Sequence, residues 1–186
     1  MRILGISGSL RRDSYNTKLL RAAEELLPNG VELELYEELE QVPPYNEDRD
    51  TGDSPATAVH LREAIADADA VLFATPEYNG SVPGQLKNAV DWASRPHRIS
   101  ALWGKPVAVV GASTGMFGAV WAQAELRKVL RTAGARVVES ELAVSKADTK
   151  FDHDGTLVDD EIRDQLAETL EVLLAEATEA PRLVAA

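Results

Sequence analysis

Hydroxyl, amide and guanidinium groups crowd one short segment of this chain. Residues 8–17 read GSLRRDSYNT, so Ser9, Ser14, Asn16 and Thr17 offer short polar side chains while Arg11 and Arg12 add positive charge. A helix is expected to begin near Asn16, and its first N–H groups and positive dipole end would face the same space. Such donors suit the dianion of a phosphate monoester. The segment has neither the GxGxxG of dinucleotide folds nor the lysine pattern of triphosphate loops, so a single phosphate is the expected guest. The plainer alternative is that Ser14 or Asn16 only caps the helix and the arginines are solvated.

Two further segments carry unusual residues. Residues 76–84 read PEYNGSVPG, a stiff and sharply turning stretch with two prolines and two glycines. Such a loop can present backbone N–H and C=O groups to the edge of a flat heterocycle, and Tyr78 adds an aromatic face. Residues 111–118 read GASTGMFG, where three glycines permit close backbone approach and Ser113 and Thr114 can donate. Taken singly, each is also compatible with an ordinary turn. Together, a phosphate nest and two heterocycle-sized walls describe a bound mononucleotide.

Alternating elements must position these segments. Apolar or alternating runs at 2–7, 31–37, 70–76, 105–113 and 135–140 read as strands, and 3.6-residue patterns at 16–28, 57–68, 84–94, 118–134 and 158–177 read as helices. A loop rich in Pro, Asp and Gly is expected at about 38–56. Strict β-α alternation predicts an α/β three-layer sandwich with a five-stranded parallel sheet in the order 2-1-3-4-5. Ligands of such sheets lie beyond the carboxyl ends of the strands, and the three segments follow the first, third and fourth strands. The expected organisation is one domain over 1–178 with a C-terminal tail at 179–186.

Composition excludes several classes. The 186 residues contain no cysteine, which removes disulfide scaffolds, zinc-thiolate and iron–sulfur sites and thiol catalysis. Residues 37–53 and 139–171 contribute −6 and −8 of the net charge of −12, leaving the rest of the chain at +2. Nucleic acid and anionic membrane surfaces are therefore not expected partners. No apolar run approaches the ~20 residues of a membrane span, and an apolar run beginning at Arg2 leaves no room for a secretory leader, so a cytoplasmic location is expected. The three histidines, His60, His97 and His153, are scattered, and no metal site is expected. The string FDHDGTLVDDE at 151–161 resembles a phosphatase opening motif or a calcium loop. Its flanks are too polar for a buried strand and its ligand spacing fails for calcium, so a turn at Asp154-Gly155 is expected.

The segments GSLRRDSYN, TPEYNGSVPGQLKNAVDWASR and GASTGMFGA resemble the NADPH-dependent FMN reductase family, which also contains azo-dye, quinone and chromate reductases. The similarity runs in order over roughly residues 2–140. The resemblance implies a flavodoxin-like fold, FMN bound without a covalent link, NADPH or NADH as co-substrate, and a homodimer or homotetramer. Ser9, Arg11, Ser14, Asn16 and Thr17 would bind the FMN phosphate. Pro76, Glu77, Tyr78, Asn79 and Gly80 would line the isoalloxazine, and Ser113 and Gly115 would close it. Tyr78 and Phe117 would border the open face. The reading is an FMN-dependent NAD(P)H oxidoreductase with ping-pong turnover onto a small-molecule acceptor: a flavin, quinone, azo compound or similar. No catalytic side chain is assigned. The alternatives are a flavodoxin-type electron carrier and an FMN-binding regulatory module. The stretch Trp92–Trp103, with Ile99 and Leu102, is the expected subunit interface.

Overall fold

A computed structural model of the chain describes residues 1–179. Its parallel strands are β1 (Arg2–Ser7), β2 (Glu32–Leu35), β3 (Ala70–Ala74), β4 (Pro106–Ala112), β5 (Arg136–Val137) and β6 (Leu142–Val144). They form one sheet in the order β2-β1-β3-β4-β5, with β6 also paired to β4. The helices are α1 (Tyr15–Glu25), α2 (Ala56–Asp67), α3 (Gly84–Ala93), α4 (Val120–Thr132) and α5 (Asp160–Glu179). The expected order is present. The expected fifth strand, however, shortens to Arg136–Val137, and a further short strand, Leu142–Val144, follows it along the edge of β4. Pro106 and Val107 pair with β5, whereas Val110–Ala112 pair with β6. The sheet thus has six strands, and β6 had no counterpart in the sequence reading: a three-residue run is too short for its period to register. The expected tail, apart from Glu179, lies outside the described residues.

The period of two along the strands divides the core. Leu4, Ile6, Val71, Phe73, Val107 and Val109 face a cluster with Leu61 and Ile65 of α2, Leu86 and Val90 of α3, and Leu126 and Leu130 of α4. Ile3, Leu72, Ala108 and Val110 face the opposite cluster with Leu19 and Leu20 of α1 and Leu166, Leu170 and Leu173 of α5. The central strands β3 and β4 are buried throughout, so neither face can tolerate a polar residue. The helices on the two faces bring their amino termini to the carboxyl edge of the sheet.

The acidic loop after β2 is docked onto α3. Gln85 Nε2 donates to the carbonyls of Leu39 and Val42 at 2.6 and 2.8 Å, and Asn88 Oδ1 accepts from Tyr45 N–H at 2.6 Å. Trp92 Nε1 donates to Pro43 O at 2.8 Å. Positions 85, 88 and 92 share one helical face, so α3 reads the backbone of this loop along its length. Of the stretch expected at a subunit interface, Trp92 and Leu102 are fully buried and belong to the core, whereas Ile99 is 78% exposed. Trp103 packs under Gly134, where an added Cβ would lie 2.2 Å from its ring. His97 lies edge-on to that same ring, at the amino edge of the sheet and away from the three loops.

Candidate functional site

Three loops leave the carboxyl edge after β1, β3 and β4. The first, residues 8–14, begins with a chain of hydroxyls. Thr17 Oγ1 donates to Ser7 Oγ at 2.9 Å, and Ser7 Oγ lies 3.4 Å from both Ser9 N and Ser9 O. Ser9 Oγ in turn accepts from Arg11 N–H at 3.4 Å. Ser9 and Ser14 are buried. Ser14 caps α1, its Oγ accepting from Asn16 N–H at 3.2 Å. The N–H groups of Tyr15 and Thr17 in the first turn have no acceptor among the described residues. Lys18 pairs with Asp13 at 2.8 Å and holds the Asp13 carboxyl below its usual pKa, mainly through their hydrogen bond.

Asn16 makes two bonds within the protein. Its Oδ1 accepts from Ala112 N–H at 2.9 Å, and its Nδ2 donates to Ala112 O at 3.0 Å. Both bonds are buried. The amide acts as one further strand residue on the edge of β4, beyond the point where β3 ends. It ties the first loop to the third, and its side-chain atoms are directed at the protein rather than at the space in front of α1.

The second loop is built on a tight turn. Tyr78 and Ser81 exchange both backbone hydrogen bonds, at 3.1 and 3.2 Å, while Asn79 and Gly80 adopt φ of 54° and 73°. Two consecutive positive φ values define a type I′ turn, for which Asn-Gly is the preferred pair. The N–H groups of Asn79 and Gly80 are left without an acceptor among the described residues. Pro76 is buried against Gly8, at which an added Cβ would come within 3.3 Å of the proline ring. Glu77 does not point its carboxylate at the open side of the loop. Its Oε2 accepts from the N–H groups of Trp121 and Ala122, both at 3.1 Å, at the start of α4.

The third loop, residues 113–119, leans on the segment after β6. Ser113 N–H donates to Val144 O at 3.0 Å, and Lys146 N–H donates to Gly115 O at 3.0 Å. Ser113 Oγ accepts from Gly115 N–H at 3.1 Å. Gly118 is required here: its φ is 55°, and an added Cβ would lie 2.4 Å from the Ala143 carbonyl carbon.

A cleft of about 360 Å³ opens between the first two loops, lined by Gly8, Leu10, Arg11, Tyr78, Pro83, Gly84 and Gln85. Of the expected site residues, Arg11 and Tyr78 form its wall. Asn79 and Gly80 sit on the adjoining turn, and Ser9, Ser14 and Thr17, on the first loop and the first turn of α1, are not part of its lining. Ser113 and Gly115 do not line the cleft; they are linked to it through Asn16 and Ala112. The sequence reading missed Ser7, Leu10 and Gln85, of which only the apolar Leu10 in a polar loop gave any signal. Leu10 and Tyr78 of the cleft wall, Met116 and Phe117 of the third loop, and Trp121 at the start of α4 are each about half or more exposed. Phe117 and Trp121 pack at 4.8 Å between ring centroids.

The dimensions fit a mononucleotide. Gly84 and Gly80 would meet nothing within 4 Å if given a Cβ, so the cleft is open above them. The unpartnered N–H groups at the start of α1 suit a dianion, and those of the Asn79-Gly80 turn suit the polar edge of a ring. Among the described residues, Asp152, His153 and Asp154 bring possible metal-binding atoms within 4.8 Å of one another. Asp152 Oδ1, however, already accepts from Asp154 and Thr156 N–H, closing the expected turn around Asp154-Gly155.

A family model described as NADPH-dependent FMN reductase matches residues 1–149. The chain is 44% identical over 174 residues to an NAD(P)H-dependent FMN reductase of Pseudomonas aeruginosa, covering 93% of each. It is 38% identical over 167 residues to a 2-hydroxy-1,4-benzoquinone reductase of a Burkholderia species, covering 89% of this chain and 90% of that one. Among solved structures, the flavoenzyme NAD(P)H:(acceptor) oxidoreductase FerB from Paracoccus denitrificans superposes with a TM-score of 0.86 at 34% identity, covering 96% and 98% of the two chains.

Proposed function

The chain belongs to the NADPH-dependent FMN reductase family, and from that premise we infer that it is an FMN-dependent NAD(P)H oxidoreductase serving a small-molecule acceptor of the quinone or flavin kind. The observation that carries the reading is the cleft between the first and second loops, with hydroxyls and free N–H groups at one end and a rigid turn at the other. The relatives of P. aeruginosa and Burkholderia act, by their names, on FMN and on a benzoquinone, and both chemistries suit an open, apolar-rimmed cleft.

Ser9 and Thr17, with the first N–H groups of α1 and the Arg11 guanidinium, would hold the FMN phosphate. Ser14 supports them as the helix cap and Asn16 by fixing the loop to Ala112. Pro76, Tyr78 and the Asn79-Gly80 turn would line the ring, with Glu77 anchoring that turn from behind and Ser113 and Gly115 shaping the third loop. When bound, FMN supplies the two-electron chemistry, taking hydride from NAD(P)H and passing the electrons to the acceptor. The protein orients, excludes water on one side, and offers the apolar rim of Tyr78 and Phe117 to whichever partner enters. No side chain is required to transfer a proton.

We place one functional domain over 1–178, a cytoplasmic location, and a homodimer or homotetramer. No helix among the described residues is long and apolar enough to cross a membrane. The exposed rings at the cleft rim, rather than Trp92–Trp103, are the apolar surface nearest the site. A solution mass equal to the 20.1 kDa of one chain would refute the assembly. The decisive experiment for the activity is anaerobic mixing of the FMN-loaded protein with NADPH and with NADH, followed at the flavin absorbance. Bleaching by either nucleotide and recovery on adding a quinone is expected. Reduction by dithionite but by neither nucleotide would favour an electron carrier instead.

A further inference from the structure

Helix α4 begins without a cap of its own. The cap position is Ala119, held at φ 63° with no side-chain hydrogen bond, where Ser, Asp or Asn would be favoured. The missing acceptor arrives from the second loop, as Glu77 Oε2 takes the N–H groups of Trp121 and Ala122. One turn further along α4, Glu125 reaches back to the same loop. Its Oε2 accepts from Ser81 Oγ–H at 2.6 Å and from Val82 N–H at 3.4 Å. Residue 77 precedes the Tyr78–Ser81 turn and residues 81–82 end it. Both ends of the turn are therefore fastened to the first turns of α4 by carboxylates exchanged in opposite directions.

A cap drawn from a residue some 44 positions away stabilises α4 no better than a local one. What it adds is a fixed distance between α4 and the turn. We propose that Glu125, together with Glu77, is a positioning residue that suspends the Tyr78–Ser81 turn from α4 and so holds the free N–H groups of Asn79 and Gly80 against the ring of the bound cofactor. The inference rests on the FMN reading above. It separates two tasks: the phosphate is held by the first loop, and the ring by a turn whose orientation depends on this pair of carboxylates.

The separation gives the test a readout other than activity. Riboflavin lacks the phosphate, so a defect confined to the ring weakens riboflavin and FMN by the same factor. Glu125→Ala should raise the dissociation constants of both flavins about tenfold, leaving their ratio unchanged. Glu125→Gln keeps an acceptor oxygen for Ser81 and Val82 and should stay within about twofold of the unsubstituted protein. The visible circular dichroism of bound flavin should change in the Ala variant and be restored in the Gln variant. Ser81→Ala removes the shorter bond from the other side and should shift both constants in the same direction, which covers the case of a Glu125 variant that folds poorly. Unchanged constants in Glu125→Ala, a loss limited to FMN, or equal losses in Ala and Gln would each overturn the proposal. Failure of the unsubstituted protein to bind any flavin would instead overturn the reading beneath it.

Discussion

Asn16→Ala tests whether the first and third loops are a single unit. The side chain is 3% exposed and satisfies both backbone groups of Ala112, at 2.9 and 3.0 Å. Truncation leaves a buried N–H and a buried C=O that no other side chain among the described residues bonds. Each unmade bond costs about 1–3 kcal/mol, so a loss of about 2–4 kcal/mol is expected after partial relaxation or entry of water. For a chain of this size that is a fall in Tm of about 5–15 °C. Asn16→Asp is the matched control: it keeps the acceptor for Ala112 N–H but sets a carboxylate oxygen against Ala112 O, so it should destabilise as well. Urea and thermal unfolding of the apoprotein provide the measurement, and flavin titration provides a second reading. FMN affinity should fall at least about tenfold because the hydroxyls of the first loop lose their anchor. A change in stability of under about 0.5 kcal/mol, with FMN affinity lost and riboflavin affinity kept, would show that Asn16 touches the phosphate directly and that the bond to Ala112 is incidental.

Three other outcomes follow from the same structure. Ser9→Ala should weaken FMN about tenfold while leaving riboflavin unchanged, as measured by flavin fluorescence quenching, because a hydrogen bond to a charged group is lost. Gly118→Ala should lower the urea unfolding free energy by at least about 2 kcal/mol, since a Cβ there has both an unfavourable φ and the Ala143 backbone at 2.4 Å to displace. Asp159 caps α5 and pairs with Lys150 at 2.5 Å, and that hydrogen bond, then the Ile162 N–H, lowers its carboxyl from the ordinary 3.8. A lowered native pKa stabilises above the ordinary value and is lost as pH falls through the native one, so the advantage of the unsubstituted protein over Asp159→Asn should narrow in melts taken from about pH 5 down to about pH 2.

The period of the apolar residues was enough to order the sheet, because β1, β3 and β4 alternate between two cores and each is followed by a helix of clear amphipathy. Where the chain makes its pairings in two or three residues, as at Arg136–Val137 and Leu142–Val144, no period exists to be read and one strand was seen where two lie. Trp92 in the Trp92–Trp103 stretch was illegible for a related reason. Its aromatic content suggested an exposed surface, but Trp92 buries its ring and satisfies its indole N–H on Pro43 O, in a loop that the sequence marks only as polar. An acidic loop rich in Pro and Asp does not announce that it will cover a helix.

The site shows the same division more sharply. Residue types located the three loops, and the prolines and glycines of residues 76–84 marked the turning segment, since those are local requirements of backbone and charge. The roles within the loops were less accessible. Asn16 and Glu77 stand in motifs that point to a ligand, yet their side chains bind backbone 96 and 44–45 residues away. Glu125 lies on an exposed face of α4, where an acidic residue is ordinary. Bonds between a side chain and a distant backbone N–H leave no periodicity and no composition bias, so only the assembled fold reveals them. On the proposed reading, such residues belong in a cofactor motif as supports of the loops that hold the cofactor. The phosphate nest and ring-facing turn proposed above would be useful only at a fixed separation, and the bonds placed to maintain it are those of one amide to β4 and of two carboxylates between the second loop and α4.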